Sequence, residues 1–105
     1  MKSHTDLPQS KKLAEFLPIE SSDMFYTLID QGLYLEVKQG IEPSKDDIPC
    51  WSLAALLNII PFVTIMKDEE GWYGECENGT VTSWNIELVD ACVKMIEELH
   101  KQNLI

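Results

Sequence analysis

The chain has 105 residues, 45% of them hydrophobic and 25% charged, a composition that is typical of one folded domain and excludes wholesale disorder. Eighteen acidic side chains against eight basic ones give a formal net charge of −10, and such a surface repels phosphate backbones and anionic membranes. We therefore expect a single domain over residues 1–105 that binds neither nucleic acid nor membrane directly, with about the first five residues frayed.

The cysteines and the N-terminus indicate the compartment. Cys50, Cys76 and Cys92 cannot all pair within one chain and none belongs to a CxxC motif, so we expect reduced thiols. The first residues lack the apolar stretch of a signal peptide. The longest apolar run, 53–65, contains an asparagine and a proline and is too short to cross a bilayer. These features predict a cytoplasmic protein.

The N-terminal half is predicted to form a short helix and a β-hairpin. Asp6 or Thr5 can cap the helix, and a proline ends it. Residues 24–29 and 33–37 are rich in aromatic and aliphatic side chains around a turn, which predicts a hairpin whose two faces both look apolar. Segment 40–49, which contains proline, serine, lysine and aspartate, is predicted to be a loop.

A second helix is predicted between Ser52, a suitable N-cap, and Pro61. Trp51 stands before the cap and can pack on Leu56 as a hydrophobic staple. The LxxLL spacing of this helix also occurs in helices that dock into receptor grooves. Any amphipathic core helix produces the same spacing, and we therefore expect a buried stripe of Leu53, Leu56, Leu57 and Ile60.

Three strands, 62–67, 72–77 and 80–84, are predicted to form an antiparallel meander. Asn78-Gly79 is typical of a type I′ turn, because both central residues of that turn need positive φ. This turn predicts that Cys76 pairs with Val81, Gly74 with Ser83 and Tyr73 with Trp84. The connection between the first two strands predicts that Lys67 pairs with Trp72 and Ile65 with Gly74, without a bulge at Gly71.

The last helix is predicted from Ile86 to Gln102, with Asn85 as its cap. Its apolar stripe comprises Leu88, Val89, Cys92, Ile96 and Leu99. We expect this stripe to cover the sheet face that has small residues at its centre, with Cys76 and Cys92 acting there as small hydrophobic side chains. The elements together predict an α+β fold in the order helix, β-hairpin, helix, three-stranded antiparallel meander and C-terminal helix packed on the sheet.

Two segments of the chain carry a resemblance. Residues 48–57, followed by Pro61, are similar to the signature I-P-A-W-S-L-x-x-L-L-x-x-L-P, with Cys50 in place of alanine. Residues 90–99 are similar to the matching close N-P-x-D-A-C-x-x-M-I-x-x-L, with Ile86 in place of proline. Over roughly its C-terminal two-thirds the chain thus resembles small uncharacterised proteins encoded by gut bacteria and their phages or mobile elements. That group has no assigned activity, so the resemblance implies a fold and a genomic context but no functional residue.

No reaction centre can be assembled from the residue pattern, and we expect a protein that is not an enzyme and holds no metal or cofactor. Cys76 and Cys92 are expected to be buried and inert, and Cys50 to be the most exposed cysteine, with no group nearby to deprotonate it. The cysteines and histidines lack the paired spacing of zinc sites. Carboxylates in loops stay solvated, which disfavours their use as general acids.

Met66, Tyr73 and Trp84 are predicted to cluster on the sheet face away from the last helix. Tyrosine, tryptophan and methionine side chains are common anchors of interfaces. Either the N-terminal helix and hairpin cover this patch, or it is an exposed contact surface. The leading hypothesis is a non-enzymatic intracellular protein-interaction module, such as an accessory protein of a phage or mobile element, that uses the patch to bind another protein or a second copy.

The alternative hypothesis is an acidic inhibitor that mimics nucleic acid and binds a basic nucleic-acid-binding protein. Its acidic face would comprise Glu75, Glu77, Glu87, Asp90, Glu97 and Glu98. Favourable i,i+4 ion pairs are expected on the last helix between Asp90 and Lys94 and between Glu97 and Lys101. Binding through such a face would be lost between low and moderate salt.

Overall fold

Three α-helices and two antiparallel sheets form the part of the chain that the computed structural model describes, namely residues 1–29, 32–38, 43–61, 63–76, 79–80 and 85–105. The helices are α1 (Leu7–Leu13), α2 (Leu53–Ile59) and α3 (Leu88–Lys101). The strands are β1 (Met24–Ile29), β2 (Gly32–Val37), β3 (Ile48–Cys50), β4 (Thr64–Asp68), β5 (Gly71–Cys76) and β6 (Gly79–Thr80). The sheets have the orders β2-β1-β3 and β4-β5-β6, and α3 packs on the second, which confirms the predicted α+β class. None of the described helices is long and apolar enough to span a membrane.

Residues 2–5 are held against the rest of the chain, so the expectation that about the first five residues are frayed is wrong for all but Met1, which is exposed. Thr5 is fully buried, and its backbone N–H donates to the Trp51 carbonyl oxygen at 2.9 Å. Two residues earlier, the Ser3 carbonyl oxygen accepts from Leu53 N at 3.0 Å. The N-terminal segment therefore runs antiparallel to residues 51–53 and satisfies backbone groups at the start of α2.

Helix α1 begins at the predicted cap. The Asp6 carboxylate accepts from Gln9 N at 2.9 Å, and the Gln9 side chain accepts from Asp6 N at 3.1 Å. This reciprocal pair is a capping box, and it satisfies two of the amides that an isolated helix start leaves without partners. The helix in turn places the fully buried Leu13 in the core.

Part of the predicted loop 40–49 is a strand, because β3 pairs with β1 and turns the first hairpin into a three-stranded sheet. The register pairs Met24 with Cys50, Phe25 with Pro49 and Tyr26 with Ile48. In an antiparallel ladder every second pair exchanges no hydrogen bonds. Pro49 stands in the middle pair, which exchanges no hydrogen bonds, so the missing N–H of proline removes no bond from the ladder. Proline argued for a loop in the sequence, but its position in the register makes it compatible with the edge strand.

The β4–β5 hairpin has the predicted register. Lys67 pairs with Trp72 and Ile65 with Gly74, and the ladder is continuous up to the turn, so the absence of a bulge at Gly71 is confirmed. Gly71 has a φ of 130°, in the region that favours glycine, and a Cβ there would collide with the Asn85 backbone. The turn itself is supported by the Asp68 carboxylate, which accepts from Glu70 N at 2.8 Å.

The β5–β6 pairing differs from the prediction at the turn. Cys76 pairs with Gly79, so the predicted pairing of Cys76 with Val81 is wrong. Further along, Trp72 pairs with Asn85, as the predicted register requires. The predicted partners Ser83 and Trp84 lie outside the described residues.

Helix α3 supplies much of the core. It begins at Leu88, and the predicted cap Asn85 instead pairs with Trp72, so that cap assignment is wrong. Its buried side chains are Val89, Ala91, Cys92, Val93, Met95, Ile96 and Leu99. The helix crosses the sheet at Gly74, where a Cβ would lie 2.6 Å from Met95 Sδ. The small residue at the centre of the predicted face is therefore what lets helix and sheet approach.

Helix α2 closes the other side of the core. Ser52 caps it as predicted, because the Ser52 side chain accepts from Ala55 N at 3.2 Å. Trp51 and Leu56 are both fully buried in one cluster with residues of α1 and α3, as the predicted staple requires. Leu57 is 41% exposed, so the predicted buried stripe is wrong at this position.

Candidate functional site

An exposed apolar surface lies on the first hairpin. Leu28 is 71% exposed, and four further apolar side chains of β1 and β2 are each about half exposed. We call this set the hairpin surface; it comprises Leu28, Ile29, Leu33, Tyr34 and Val37. Apolar patches that are exposed to solvent on a folded chain mark sites of interaction or aggregation. The sequence contains a signal for this surface, since both faces of the hairpin look apolar, but residue spacing alone does not mark it as a site.

The register explains why both faces of the hairpin are exposed. Leu28 pairs with Leu33, so their side chains lie on one face, and Ile29 and Tyr34 lie on the other. On the opposite side of β1, the ladder to β3 ends at the pair Tyr26–Ile48. Beyond that pair the hairpin continues as a two-stranded ribbon, which no element of the described chain covers from either face.

The hairpin also presents an open strand edge, because β2 is the outer strand of its sheet. Lys38 N donates to the Asp23 carbonyl oxygen at 3.0 Å, and this fixes which pairs of the ladder exchange hydrogen bonds. Hydrogen-bonded and non-bonded pairs alternate along the β1–β2 ladder. Because the pair Asp23–Lys38 is hydrogen-bonded, the pairs that contain even-numbered residues of β1 exchange no hydrogen bonds with β2. The N–H and C=O groups that point away from β1 therefore belong to Leu33, Leu35 and Val37.

Edge strand β2 lacks the usual protection against pairing. Natural edges carry lysine, proline or a bulge that blocks a further strand. Glu36 is the charged residue within β2, and it is half-buried. Lys38, just after the strand, is turned back, since its Nζ donates to the Ile19 carbonyl oxygen at 2.9 Å and to Ser22 Oγ at 2.8 Å. By contrast edge strand β4 includes an exposed Lys67, whose Nζ lies 5.3 Å from the centroid of the Trp72 ring.

The predicted patch of Met66, Tyr73 and Trp84 is described only in part. Met66 is 40% exposed and pairs with Tyr73, which is half-buried, so these two share a face as predicted. Trp84 lies outside the described residues. The N-terminal elements that were expected as a possible cover of this patch have the following contacts. The first hairpin pairs with β3, and Phe16, which follows α1, packs against the core cluster and stacks on His100 with ring centroids 4.0 Å apart. Use of the patch as a contact surface stays a prediction.

The carboxylates of the predicted acidic face are largely engaged within the chain. Asp90 accepts from Lys2 Nζ at 2.7 Å and from Gln9 Nε2 at 2.8 Å, and Lys12 Nζ donates to Glu97 at 3.1 Å. The expected partners of these two carboxylates, Lys94 and Lys101, are thus replaced by lysines of the N-terminal segment. Glu87 accepts from Lys2 N at 3.0 Å, and Glu98 accepts from Gln102 Nε2 at 3.2 Å. Glu75 is exposed, and Glu77 lies outside the described residues.

The two cysteines whose side chains are described, Cys50 and Cys92, are poorly placed to react. Cys50 is fully buried, so the expectation that it is the most exposed cysteine is wrong; strand β3 places it in the core, with its Sγ 3.4 Å from the Thr5 carbonyl oxygen. Burial raises the pKa of Cys50, and it raises the pKa of Cys92 to about 11. Both thiols therefore stay protonated at neutral pH and are poor nucleophiles. The side chain of Cys76 lies outside the described residues.

Ser52 lies beside groups that accompany nucleophilic serines in other proteins. Its Oγ donates to Asp23 Oδ2, and its backbone N–H donates to Asp23 Oδ1 at 2.9 Å. His4 is bridged to Ser52 through the backbone, and its Nδ1 lies 3.1 Å from Ser3 Oγ. A serine nucleophile needs a base that takes its proton, most often a histidine or a lysine. Because the Ser52 hydroxyl is bonded to Asp23 and also caps α2, its role is to anchor the helix start.

Among the described residues, no group of three or more histidine, cysteine, aspartate or glutamate side chains could hold a metal ion. A scan against protein-family models gave no match, and searches of curated proteins and of solved structures found no similar protein. The resemblance to small proteins of gut bacteria and their phages therefore stays a prediction.

Proposed function

We propose that this chain is a non-enzymatic protein-interaction module and that it binds through the hairpin surface and the open edge of β2. The observation that carries the proposal is the coincidence of two features on one hairpin: apolar side chains exposed on both faces, and an edge at Leu33, Leu35 and Val37 whose backbone groups have no strand partner in the described part of the chain. Strand addition to a sheet edge uses both, since the ladder supplies hydrogen bonds and the side chains supply apolar contact.

The size of the surface indicates how such binding would work. Full burial of one aliphatic or aromatic side chain contributes about 1.5–3 kcal/mol. Because the five side chains are on average about half exposed, covering all of them would contribute about 5 kcal/mol. Association itself costs roughly 4–15 kcal/mol. Side-chain burial alone is thus too weak for a stable complex, and the partner must also hydrogen-bond to the strand edge.

The described carboxylates give less support to the nucleic-acid-mimic alternative. A mimic needs free, regularly spaced charges, whereas Asp90 and Glu97 are paired with Lys2 and Lys12. The alternative keeps one distinguishing property, because its binding would weaken steeply with salt. Binding through the hairpin surface would survive salt, since the contact is apolar and made through the backbone.

The proposal places the module in the cytoplasm, as an accessory protein of a phage or mobile element. The support is the reduced-thiol pattern of Cys50, Cys76 and Cys92 and the resemblance carried by residues 48–57 and 90–99.

A matched pair of lysine substitutions tests the interaction site. Leu33, on the hairpin surface, is 46% exposed, and Leu57, on α2, is 41% exposed. Leu33→Lys and Leu57→Lys therefore remove a similar leucine and add the same charge at two different places. In an affinity pull-down from bacterial lysate at low and high salt, we expect Leu57→Lys and the unchanged chain to retain a partner that Leu33→Lys loses. Met66→Ala, in the same experiment, tests the predicted patch.

The outcomes separate the hypotheses. Equal loss of the partner in both lysine variants would show that added charge, and not the site, matters. Loss in Met66→Ala alone would move the interaction to the patch on β4 and β5. Loss of all partners at high salt, in every variant, would favour the acidic mimic. Circular dichroism of each variant shows whether it is folded.

A further inference from the structure

We propose that the occupant of the β2 edge is β2 of a second copy of this chain, paired antiparallel about a two-fold axis through Leu35. The result is a continuous sheet of six strands in the order β3-β1-β2-β2-β1-β3, with the two copies meeting at its centre. This inference rests on the proposed function, since it names the partner of the same surface.

The hydrogen-bonding groups of β2 are self-complementary. Its outward N–H and C=O groups belong to Leu33, Leu35 and Val37, which are spaced evenly about Leu35. A two-fold axis at Leu35 places this residue opposite its own copy and Leu33 opposite Val37 of the second copy. Each outward donor then faces an outward acceptor, as an antiparallel ladder requires. Closed two-fold pairing of one patch with itself is also the most common symmetry of soluble dimers.

The side chains fit the same register. Leu33, Leu35 and Val37 share one face of β2, so the pairs across the axis on that face are apolar. On the other face Tyr34 lies opposite Glu36 of the second copy, and the Tyr34 hydroxyl can donate to that carboxylate. A register centred on Glu36 would instead place two like charges opposite each other, which is unfavourable. The register centred on Leu35 avoids this repulsion and keeps the facing side chains on the Leu35 face apolar.

Charge repulsion limits how tightly two copies of this acidic chain can pair at the hairpin. The chain has a net charge of −10, and two copies repel each other over most of their surface. Residues 24–38, the hairpin with its turn, contain two acidic residues, Asp30 and Glu36, and one basic residue, Lys38, so the hairpin carries one of the ten net negative charges. A single edge is also smaller than a standard interface of about 800 Å² per partner. Both facts predict a weak dimer that becomes tighter when salt screens the repulsion.

Sedimentation equilibrium of the purified chain tests the proposal at two salt concentrations. The Debye length falls from about 10 Å at 0.1 M salt to about 3 Å at 1 M. We expect a monomer–dimer equilibrium whose dissociation constant decreases at least about threefold over this range. Leu33→Lys should weaken it at least about tenfold, and Leu57→Lys should leave it unchanged. The added lysine brings the net charge from −10 to −9, which by itself would favour dimerisation, so a loss must come from the edge.

A second measurement keeps the test independent of one variant. Amide hydrogen exchange at low and high protein concentration should show slower exchange at Leu35, whose N–H faces the open edge, and no change at Tyr34, whose N–H is bonded within the hairpin. Leu35→Pro removes the outward N–H and should abolish the dimer without breaking a bond to β1.

The failure of the dimer is distinguishable from that of the interaction module. A chain that is monomeric up to about 1 mM at both salt concentrations would overturn the dimer. A dimer that survives Leu33→Lys and Leu35→Pro would overturn it as well, because the contact would lie elsewhere. If the monomeric chain still captures a lysate protein that Leu33→Lys loses, the hairpin is an interaction site for another protein. If neither property depends on Leu33, both proposals fail.

Discussion

Replacement of Thr5 by valine should destabilise the protein far more than its place near the N-terminus suggests. The side chain is fully buried, and its Oγ1 accepts from Trp51 N at 3.1 Å and lies 2.7 Å from Ser10 Oγ. Valine keeps the shape of threonine and removes only the hydroxyl. The Trp51 amide and the Ser10 hydroxyl, both in fully buried residues, then lose their hydrogen bonds to Thr5.

The expected cost follows from those lost hydrogen bonds. A buried polar group left without a partner costs about 1–3 kcal/mol. With two such groups, of which the serine can partly reorient, Thr5→Val should lower the free energy of unfolding by about 2–4 kcal/mol. Thr5→Ser keeps the hydroxyl and removes one methyl group, which costs about 1 kcal/mol. We therefore expect the valine variant to be the less stable of the two, although valine is the more hydrophobic residue.

Equilibrium unfolding in urea, followed by circular dichroism, measures both differences. For a domain of this size, about 1 kcal/mol corresponds to several degrees in Tm, so a thermal scan gives the same ranking. The reasoning would be refuted if Thr5→Val were as stable as the unchanged chain, which is the result that a frayed terminus predicts. It would also be refuted if Thr5→Ser were the less stable variant, because packing and not hydrogen bonding would then dominate.

Two further substitution or labelling experiments test the core. Gly74→Ala should lower the free energy of unfolding by about 1–3 kcal/mol, because its Cβ would lie 2.6 Å from the Sδ of the fully buried Met95; a neutral result in urea unfolding would show that α3 can shift away from the sheet. Cys50 and Cys92 should resist iodoacetamide at pH 8 until the protein unfolds, since burial raises the pKa of both thiols and that of Cys92 reaches about 11; mass spectrometry of tryptic peptides reads each thiol separately. Labelling of either residue at a rate independent of denaturant would contradict the packing described for β3 and α3.

Local patterns predicted the elements well where their signals were unambiguous. The hairpin of β1 and β2, the capped starts of α1 and α2 and the β4–β5 register all follow from spacing, caps and turn residues, and the structure confirms them. The errors arise where a residue type has two uses. Pro49 indicates a loop, yet it fits a ladder position that needs no N–H. Asn85 is a good helix cap, yet its backbone is paired with Trp72.

The candidate site was visible in the sequence only as an anomaly. A strand with one buried face alternates apolar and polar residues, whereas residues 24–29 and 33–37 are apolar on both faces. Such a pattern is equally consistent with a strand buried on both sides and with a ribbon exposed on both sides. Burial decides between them, and burial depends on which other elements lie near, which spacing does not encode.

The sequence by itself determined the class of fold, the acidic charge and the order of helices and strands apart from β3, because these follow from composition and from interactions over a few residues. Only the tertiary structure decided that Thr5 and Cys50 are buried, that lysines near the N-terminus pair with carboxylates of α3, and that the ribbon beyond the Tyr26–Ile48 pair is left uncovered. Each of these depends on contacts between residues far apart in the chain. Such contacts are selected by the packing of the whole molecule, and no local pattern specifies them.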